Sequence, residues 1–448
     1  MEALQKKYGL ATATAMVVGI VIGSGVFFKA EKILTATGGN LSVGILAWII
    51  GGVIMIVCAY NFAVMATKYE KVSGIVDYAE ATMGTKYGYF VGWFMATVYY
   101  PTLVSVLAWV SARYTCVLIG KDWSIVGPEC LAITAFYLIT SYALNTLSPI
   151  LAGKFQVSTT IIKLIPLFAM AIVGTISGLS SGMVMENFAT VVEEMDTFSA
   201  LLTAVCATAF AYEGWIIATS INAELKDAKR NLPKALVRGT FLIMATYILY
   251  YVGLSGAVEN AVLMESGETG AKTAFANIFS NFMGTGLFVF VVISCLGTLN
   301  GLMLACTRGI YALSVRNMGP MPDTFKQIDA KTNMPTNASE LGLLFAGIWL
   351  LYFYGANLTA PWFGFFSFDS SELPIITIYA MYIPIFWVFM RKESGMDFFK
   401  GKLMPALGIL GSLFMIYAAY VSHGKAILAY LIVFFAVQTI GMLYMKRK

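Results

Sequence analysis

Long apolar segments constrain this chain more than any other feature of its sequence. A helix that spans a bilayer needs about 20 mostly apolar residues, so twelve spans would use about 240 positions. Hydrophobic residues make up 59% of the 448 positions, and charged residues make up only 12%. A water-soluble domain carries about 25% charged residues. The composition therefore excludes a soluble globular protein and predicts an all-α integral membrane protein.

We expect about twelve transmembrane helices, and no linker of domain size separates them. Their predicted positions are 10–36, 42–67, 87–119, 128–148, 153–178, 199–221, 236–258, 282–313, 338–357, 369–390, 403–421 and 426–445. The segment 68–86 has polar and apolar residues at helical spacing, which predicts an interfacial amphipathic helix on the cytoplasmic side. The whole chain, 1–448, is thus predicted to be a single polytopic membrane domain.

Basic residues are distributed unevenly along the chain. If the N-terminus is cytoplasmic, 22 of the 29 Lys and Arg residues lie on the cytoplasmic side. The outer side then holds six, among them Lys29 and Lys32, and Lys163 lies within a span. The positive-inside rule therefore predicts a multi-pass protein of the cell (plasma) membrane with both termini in the cytoplasm.

The first span contains a concentration of helix-breaking residues at mid-membrane depth. It reads GIVIGSGVFF over residues 19–28, where Gly23, Ser24 and Gly25 follow one another. Unwinding there would free N–H groups at the start of the outer half-helix, which could bind a carboxylate. The carbonyl groups around Ile20 and Val21 would face a cation such as an ammonium. Close packing of helices through small residues is the alternative explanation.

The sixth span contains a carboxylate next to a glycine in the middle of an apolar run. It reads FAYEGW over 210–215, with Glu213 beside Gly214. A charge at that depth is costly unless it is paired, hydrated or protonated, which makes Glu213 a functional candidate or a structural acid. Interrupted helices at the start of two five-helix halves are typical of inverted-repeat transporters. The predicted repeats cover about 10–178 and 199–390, with added helices at about 403–445.

At these residues the sequence resembles the amino acid–polyamine–organocation superfamily, most closely the L-type amino acid transporters and their bacterial relatives. The similarity continues in ELKDAKRNLPKAL after the sixth span and in SCLGTLNGLMLACTRGIYALSVRNMGP in the eighth. It covers the first ten spans in order. The resemblance implies the leucine-transporter fold, with helices 1 and 6 broken, and coupled transport of a free L-amino acid.

The resemblance also implies roles for individual residues. The N–H groups of Ser24, Gly25 and Val26 would bind the substrate carboxylate, and carbonyl groups would bind its ammonium, namely those of Ile20, Val21, Phe210 and Ala211. Tyr212, Gly214 and Trp215 would shape the side-chain pocket or an outer gate. Glu213 departs from the small residue typical of eukaryotic members, so its role as substrate ligand, proton site or brace stays open.

Lys163 and Asn300 are the candidate coupling residues. Lys163 lies about 15 Å along the fifth span from Gly153, near the bilayer centre. The resemblance implies that a lysine there takes the place of sodium and braces span one against span eight, as a fixed charge in an exchanger or a titrating group in a proton symporter. Pro166 is predicted to kink this helix. Asn300 and Thr298 are expected to line the site or bond the unwound loops, or else to join helices.

Other polar residues have simpler expected roles. Asp369 and Glu372 are expected to face water at the helix N-terminus that starts span ten, with a role as gate or outer-rim residues as the alternative. His423 is expected to be solvated in an outer loop. Some L-type members need a single-span glycoprotein joined through an outer cysteine near spans three and four. Cys116 and Cys130 lie near there, but neither is clearly in the loop. We therefore expect no obligatory partner subunit.

The sequence as a whole predicts a secondary transporter of small to medium neutral L-amino acids. Sodium-independent exchange by alternating access is preferred, and proton symport or transport of cationic amino acids or amines are the alternatives. A channel is the rival from another class. One histidine cannot supply the HExxH motif, and the chain has no GxxxxGK[ST] loop, so we expect no enzyme, metal or cofactor. The expected partners are a free amino acid and the lipid bilayer, with no nucleic acid.

Overall fold

The computed structural model describes residues 9–69, 74–120, 123–124, 126–216, 225–393 and 395–445, and this part of the chain is almost entirely helical. Its α-helices are α1 Leu10–Val21, α2 Ser24–Ala36, α3 Leu41–Tyr69, α4 Ile75–Met83, α5 Thr85–Phe94, α6 Tyr100–Ile119, α7 Pro128–Leu147, α8 Pro149–Ile162, α9 Leu164–Ala169, α10 Thr175–Ser181, α11 Met183–Ala189, α12 Thr197–Ala211, α13 Ala228–Ser255, α14 Asn260–Ser266, α15 Glu268–Ser314, α16 Pro322–Phe325, α17 Thr336–Phe353, α18 Leu373–Lys392, α19 Met404–His423 and α20 Ala426–Leu443. Ser280, with φ of 70°, divides α15 into two helical stretches.

The helices confirm an all-α multi-pass membrane protein. In the described part of the chain, ten helical runs are long and apolar enough to cross a bilayer. A pair bent by 55°, Leu10–Gly19 with Ser24–Ala36, brings the number to eleven. The one remaining predicted span, the sixth, begins with α12, an apolar helix of 15 residues. The end of that span, 217–221, lies outside the described residues.

Several predicted boundaries differ from the observed helix ends, among them the start of α15, which lies at Glu268 instead of 282. Helix α13 begins at Ala228, eight residues before the predicted start at 236. Charged residues such as Lys229 and Arg230 end a hydrophobic segment, but they are good helix formers and continue the helix into water. The amphipathic helix expected over 68–86 is confined to α4, between Gly74 and Gly84, which both have positive φ. Residues 70–73 of that segment lie outside the described residues.

Helix ends follow the expected chemistry of proline and glycine. Pro128 and Pro149 stand in the first turn of α7 and α8, where a missing N–H costs no hydrogen bond. Gly120 ends α6 in the left-handed conformation with φ of 70°. Asp196 caps α12, and hydrogen bonds from the side chain and backbone of Ser199 lower the pKa of its carboxyl. These local signals fix where spans begin and end.

The chain forms two compact units, each assembled from separate stretches of sequence. Unit 1 contains the described residues up to Gly88, Leu164–Leu287 and Ile375–Ser422. Unit 2 contains Tyr89–Lys163, Phe288–Pro374 and the described residues from His423 onward. Helices α1, α2, α3, α12 and α13 belong to unit 1, whereas α6, α7, α8, α17 and α20 belong to unit 2. The units do not follow the order of the chain.

Unit 2 is joined by aromatic side chains that bond to the backbone of other helices. The Tyr89 hydroxyl donates to the Gly441 carbonyl at 2.8 Å, and the Trp93 indole N–H donates to the Val437 carbonyl at 2.9 Å. Trp349 donates in the same way to the Thr97 carbonyl at 2.9 Å. A buried Tyr or Trp needs such a partner for its polar atom. These bonds hold α20 and α17 to the α5–α6 span.

Candidate functional site

The first span is interrupted where the glycines predict it. Helix α1 ends at Val21, Ile22 is extended with ψ of 116°, and α2 starts at Ser24. No side chain caps the N-terminus of α2 at Gly23. The first N–H groups of a helix have no partner inside that helix, so those of Gly25 and Val26 point out of its end. The chain thus presents an uncapped, positively polarised helix end in a segment where every residue from Val21 to Ala30 is buried.

The second interruption lies at the end of α12. The helix stops at Ala211, and Tyr212 has φ of −90° and ψ of 2°. Gly214 follows with φ of +105°, a backbone conformation that residues other than glycine rarely adopt. A short helical turn at Trp215 and Ile216 ends the described part of this segment. The carbonyl groups at the end of α12 are therefore left at a negatively polarised helix terminus.

The two interruptions are in contact within unit 1. A Cβ atom at Gly25 would lie 2.6 Å from the Cα atom of Ala211 and 3.2 Å from the carbonyl oxygen of Phe210. Only glycine permits this approach, because ordinary carbon contacts need about 3.5–4.0 Å. The N-terminal end of α2 therefore packs directly against the C-terminal end of α12.

Tyr247 of α13 connects the two helix ends. Its hydroxyl lies 3.2 Å from the Ala211 carbonyl oxygen and 3.4 Å from the Val21 carbonyl oxygen, and the side chain is completely buried. A single O–H can donate fully to one carbonyl at a time. One hydroxyl thus serves the ends of both α1 and α12 and leaves carbonyl lone pairs for a further donor.

Aromatic side chains surround this junction. Tyr212 stacks on Tyr247 with ring centroids 5.4 Å apart, and its hydroxyl donates to the Trp48 carbonyl at 2.8 Å. Trp48 packs edge-on against both rings. Phe210 packs on Phe28 at 5.7 Å. The environment of the two helix ends is therefore largely apolar, which strengthens any hydrogen bond made there.

Lys29 lies one turn above Gly25 on α2 and corrects the sequence interpretation. It was counted among the outer basic residues, but its exposed fraction is 0%. The ammonium is 5.2 Å from the ring centroids of both Phe28 and Phe210. A lysine at i+4 shares the helical face of the residue one turn earlier. It therefore adds a positive charge beside the end of α12.

Trp215 and Glu213 lie on the other side of Tyr212. Trp215 is fully buried against the rings of Phe62 at 5.7 Å and Tyr382 at 5.9 Å. Glu213 is half-buried and acts electrostatically on Cys58 and Tyr379. The partial exposure of Glu213 reduces the desolvation cost of its charge. The two residues belong to an aromatic cluster between α3 and α18, next to the junction.

Lys163 is buried, as its predicted depth requires, with an exposed fraction of 2%. It stands at a break between α8 and α9, three residues before Pro166. A proline has no N–H to bond the carbonyl of the residue four positions earlier, here Ile162, which explains why α8 ends there. The span is therefore interrupted at Lys163, and the kink at Pro166 stays a prediction.

Asn300 joins three helices of unit 2. Its Nδ2 atom donates to the Ala152 carbonyl at 3.2 Å and to Gln156 Oε1 at 3.1 Å. Asn145 donates to Asn300 Oδ1 at 3.0 Å. Thr298 bonds back to the Ser294 carbonyl of its own helix. These bonds correspond to the helix-joining alternative for Asn300, with α15 attached to α7 and α8.

Two expectations about the outer polar residues were wrong. His423 closes α19, and its Nε2 atom lies 3.2 Å from Glu372 Oε2, with side-chain exposures of 13% and 9%. Neither residue is simply solvated. Asp369 accepts hydrogen bonds from the backbone N–H of Ser371 and Glu372, at 2.6 and 2.9 Å, and so caps the start of α18. Asp369 thus lies at a helix N-terminus, as expected, and part of its surface is exposed.

Sequence reasoning missed Tyr247, Trp48 and Lys29. The stretch Tyr247, Tyr250, Tyr251 was a usable signal, because a tyrosine at mid-membrane depth needs a hydrogen-bond partner. A lysine four residues after Gly25 was another, since it lies inside an apolar run. For Trp48 no local signal distinguishes it from a packing residue.

The arrangement pairs a helix end rich in N–H donors with two ends rich in carbonyl acceptors. Such a junction can bind a small molecule that carries an anionic and a cationic group close together. The family model described as amino acid permease matches residues 8–443 of this chain.

Individual relatives match over nearly the same length. The chain is 27% identical over 424 residues to the serine/threonine exchanger SteT of Bacillus subtilis (strain 168), with 92% of this chain and 91% of that protein aligned. It is 27% identical to the human b(0,+)-type amino acid transporter 1, which covers 94% of this chain and 83% of that protein. The human large neutral amino acids transporter small subunit 2 is 26% identical over 75% of this chain and 62% of its own length. The chain is a member of the amino acid permease family, and thus a transporter.

Proposed function

We propose that this permease exchanges free L-amino acids with small to medium neutral side chains by sodium-independent alternating access. The observation that carries the proposal is the shared contact of the Tyr247 hydroxyl with the Val21 and Ala211 carbonyls, next to the uncapped start of α2. An α-amino acid has its carboxylate and its ammonium on one carbon atom, so it needs donors and acceptors side by side. The junction of the broken helices supplies both.

The proposed ligands come from the backbone. The carboxylate would accept from the N–H groups of Ser24, Gly25 and Val26, and Gly23 permits the turn before them. The ammonium would donate to carbonyl oxygens at the ends of α1 and α12, those of Ile20, Val21, Phe210 and Ala211. Backbone recognition reads the groups that all amino acids share. The substrate side chain is then selected by the surrounding aromatic rings.

Two charges near the junction decide between neutral and cationic substrates. Glu213 is half-buried and would favour a cationic side chain. Lys29 places a basic group there, 5.2 Å from the ring centroid of Phe210. The names of the relatives, a serine/threonine exchanger and a large neutral amino acids transporter, agree with a neutral substrate.

The division into units supports the proposed repeat of five plus five helices. Spans one and six and spans two and seven would correspond to one another, and α1, α2, α12, α3 and α13 all lie in unit 1. Spans three and eight and spans four and nine lie mostly in unit 2. Corresponding helices of an inverted repeat take equivalent positions. The pairing of spans within units is what such a repeat produces.

Coupling is proposed to involve Lys163 as a fixed charge in an exchanger. Its burial and its position at a helix break agree with a structural ammonium that replaces an ion. SteT, the relative aligned over 92% of this chain, is named an exchanger. Proton symport, with Lys163 or Glu213 as the titrating group, is the alternative.

We also propose that the chain works without a partner subunit, in the cell membrane, with both termini cytoplasmic. One relative is named a small subunit, which raises the question of a second chain. All six cysteines of this chain are free and buried. A buried thiol cannot form a disulfide with another protein. The orientation rests on the excess of Lys and Arg in the predicted inner segments.

The test is uptake into liposomes that contain only this protein. Labelled serine, alanine, leucine, arginine and glutamate are offered at two external pH values, with and without unlabelled amino acid inside and with and without sodium. Exchange predicts saturable uptake of the neutral substrates that needs internal amino acid and ignores sodium and the pH gradient.

Two variants separate the coupling alternatives. Lys163→Gln is compared with Lys154→Gln, which removes an exposed lysine in the same span. If Lys163 is a fixed brace, its variant loses uptake at every pH. Uptake into empty liposomes driven by a proton gradient, abolished by Lys163→Gln alone, would replace exchange by symport. Uptake of arginine in preference to leucine would refute the neutral-substrate assignment.

A further inference from the structure

Unit 1 contains a cavity of about 550 Å³ that plays no part in the proposed transport site. It opens between the last turns of α3, the first turns of α13 and the segment 396–400. These are predicted cytoplasmic ends of spans. The cavity is large enough for a phosphorylated headgroup together with the start of its glycerol backbone.

The charged side chains that line this cavity are all cationic, and Tyr60 and Thr67 add hydroxyl groups. Its charged lining residues are Lys229, Arg230, Lys234, Arg238 and Lys400. Among the described residues, no acidic residue lines it. Asp397 lies beside it, with its carboxylate 3.8 Å from Lys400 in a pair that is more than half exposed. A loose exposed pair leaves most of the positive charge available.

The cations on α13 are stacked along one face. Arg230, Lys234 and Arg238 are spaced by four residues, so they lie one above another on the helix. Like charges at this spacing repel one another and destabilise a helix. The positive-inside rule explains basic residues at this end of the span, but it does not require them to be aligned around a cavity. An anion bound among them would remove the repulsion.

The remaining wall of the cavity is apolar. Val64, Pro233, Val237 and Met396 form it, and Tyr60 closes one side with its ring against Phe399 at 5.8 Å. The face of α13 that carries the cations continues with exposed apolar residues, since Phe241 and Leu242 are 56% and 50% exposed. A free anion would use the cations alone. A molecule with a charged head and a hydrocarbon tail would use both parts.

We propose that this cavity binds the headgroup of an anionic glycerophospholipid from the cytoplasmic leaflet. The phosphate accepts from Arg230, Lys234 and Arg238, of which arginine binds phosphate oxygens through two N–H groups at once. The glycerol region lies against Val237 and Pro233, and the acyl chains follow Phe241 and Leu242. Cationic side chains at a membrane surface attract anionic lipid in this way. The site is independent of the amino acid site.

The test uses the purified full chain in a neutral detergent. Binding of phosphatidylglycerol and of phosphatidylcholine with the same acyl chains is measured by native mass spectrometry and by the shift of the melting temperature, at low and high salt. The triple variant Arg230→Gln, Lys234→Gln, Arg238→Gln removes three lining cations. Its control, Lys86→Gln, Lys154→Gln, Lys331→Gln, removes the same charge at exposed positions outside the cavity.

The wild-type chain and the control should bind phosphatidylglycerol in preference to phosphatidylcholine, and salt should weaken this binding. Each cation contributes about fivefold to affinity at a membrane surface, so the triple variant should bind about a hundredfold more weakly. Val237→Gln, which keeps every charge, should also weaken lipid binding. If the triple variant fails to fold, the lipid preference and salt dependence of the wild-type chain and the effect of Val237→Gln still test the proposal.

Three results would overturn the proposal. Equal affinity of the triple variant and its control would remove the cavity as the binding site. Equal binding of the two lipids would remove the role of charge. Displacement of phosphatidylglycerol by inorganic phosphate or glycerol phosphate at comparable concentration would assign the cavity to a soluble phosphate ester instead of a lipid.

Discussion

The contact between Gly25 and Ala211 gives the sharpest prediction, because it is a contact of backbone with backbone. In Gly25→Ala the added Cβ atom would lie 2.6 Å from the Ala211 Cα atom. Since ordinary carbon contact needs about 3.5–4.0 Å, the ends of α2 and α12 must separate by about 1 Å. Overpacking of this kind costs about 1–3 kcal/mol, which corresponds to a factor of about 5–150 in the population with the two ends in contact.

The expected result is loss of transport in a protein that still reaches the membrane. Uptake of the preferred substrate by Gly25→Ala should fall at least about fivefold, and its melting temperature should fall as well. Gly153→Ala and Gly347→Ala are matched controls, because a Cβ atom at either position would meet no atom within 4 Å. Both controls lie inside helices, where alanine is favoured over glycine by about 1 kcal/mol, so they should be as stable as the wild type or more stable.

A second variant separates backbone contact from a side-chain clash. Adding Ala211→Gly to Gly25→Ala should not restore uptake, because the clash is with a Cα atom that glycine also has. Gly51→Ala is the contrasting case, since its Cβ atom would lie 2.1 Å from Thr208 Oγ1. Adding Thr208→Ala should therefore restore part of the uptake and of the melting temperature that Gly51→Ala loses. Wild-type uptake and melting temperature in Gly25→Ala would refute the assigned junction of the broken helices.

Three further predictions concern polar contacts. Tyr247→Phe should raise the KM for substrate about three- to tenfold, because a hydrogen bond contributes about 0.5–1.5 kcal/mol. Tyr89→Phe loses an equivalent buried hydrogen bond in unit 2, so it should lower the melting temperature with little change in KM. The same KM in both variants would contradict the role of Tyr247. Asn300→Ala should lower the melting temperature more than it changes KM, and the opposite pattern would favour the coupling role over the helix-joining one. In a double-mutant cycle, Glu372→Gln and His423→Gln should show a coupling energy of about 1 kcal/mol in thermal unfolding, and strictly additive effects would mean that their contact contributes nothing.

Local sequence was sufficient for the spans and for both interruptions. Hydropathy over about twenty residues is a property of neighbouring positions, and the bilayer imposes its length on every span. Gly23, Ser24 and Gly25 predict a break in the helix, because the backbone conformation of a glycine depends on local sequence. The prediction failed where charge was taken as a boundary, as at the start of α13, because charge ends burial without ending a helix.

Tertiary structure decided which residues meet at the breaks. Tyr247 reaches the Val21 carbonyl across 226 positions of sequence, and no pattern along the chain encodes that contact. Lys29 was assigned to water by its charge, but folding buries it completely against Phe28 and Phe210. The contact of His423 with Glu372 likewise depends on how the end of α19 lies near the start of α18.

The sequence by itself therefore determined that the chain is a multi-pass helical protein, where its helices break and to which family its motifs belong. Each of these depends on residues that are close in the chain. Only the tertiary structure decided that Gly25 meets Ala211, that one tyrosine hydroxyl serves two helix ends and that five cations surround one cavity. These features arise from the packing of distant segments, and packing is set by the shapes of all the side chains between them rather than by their order.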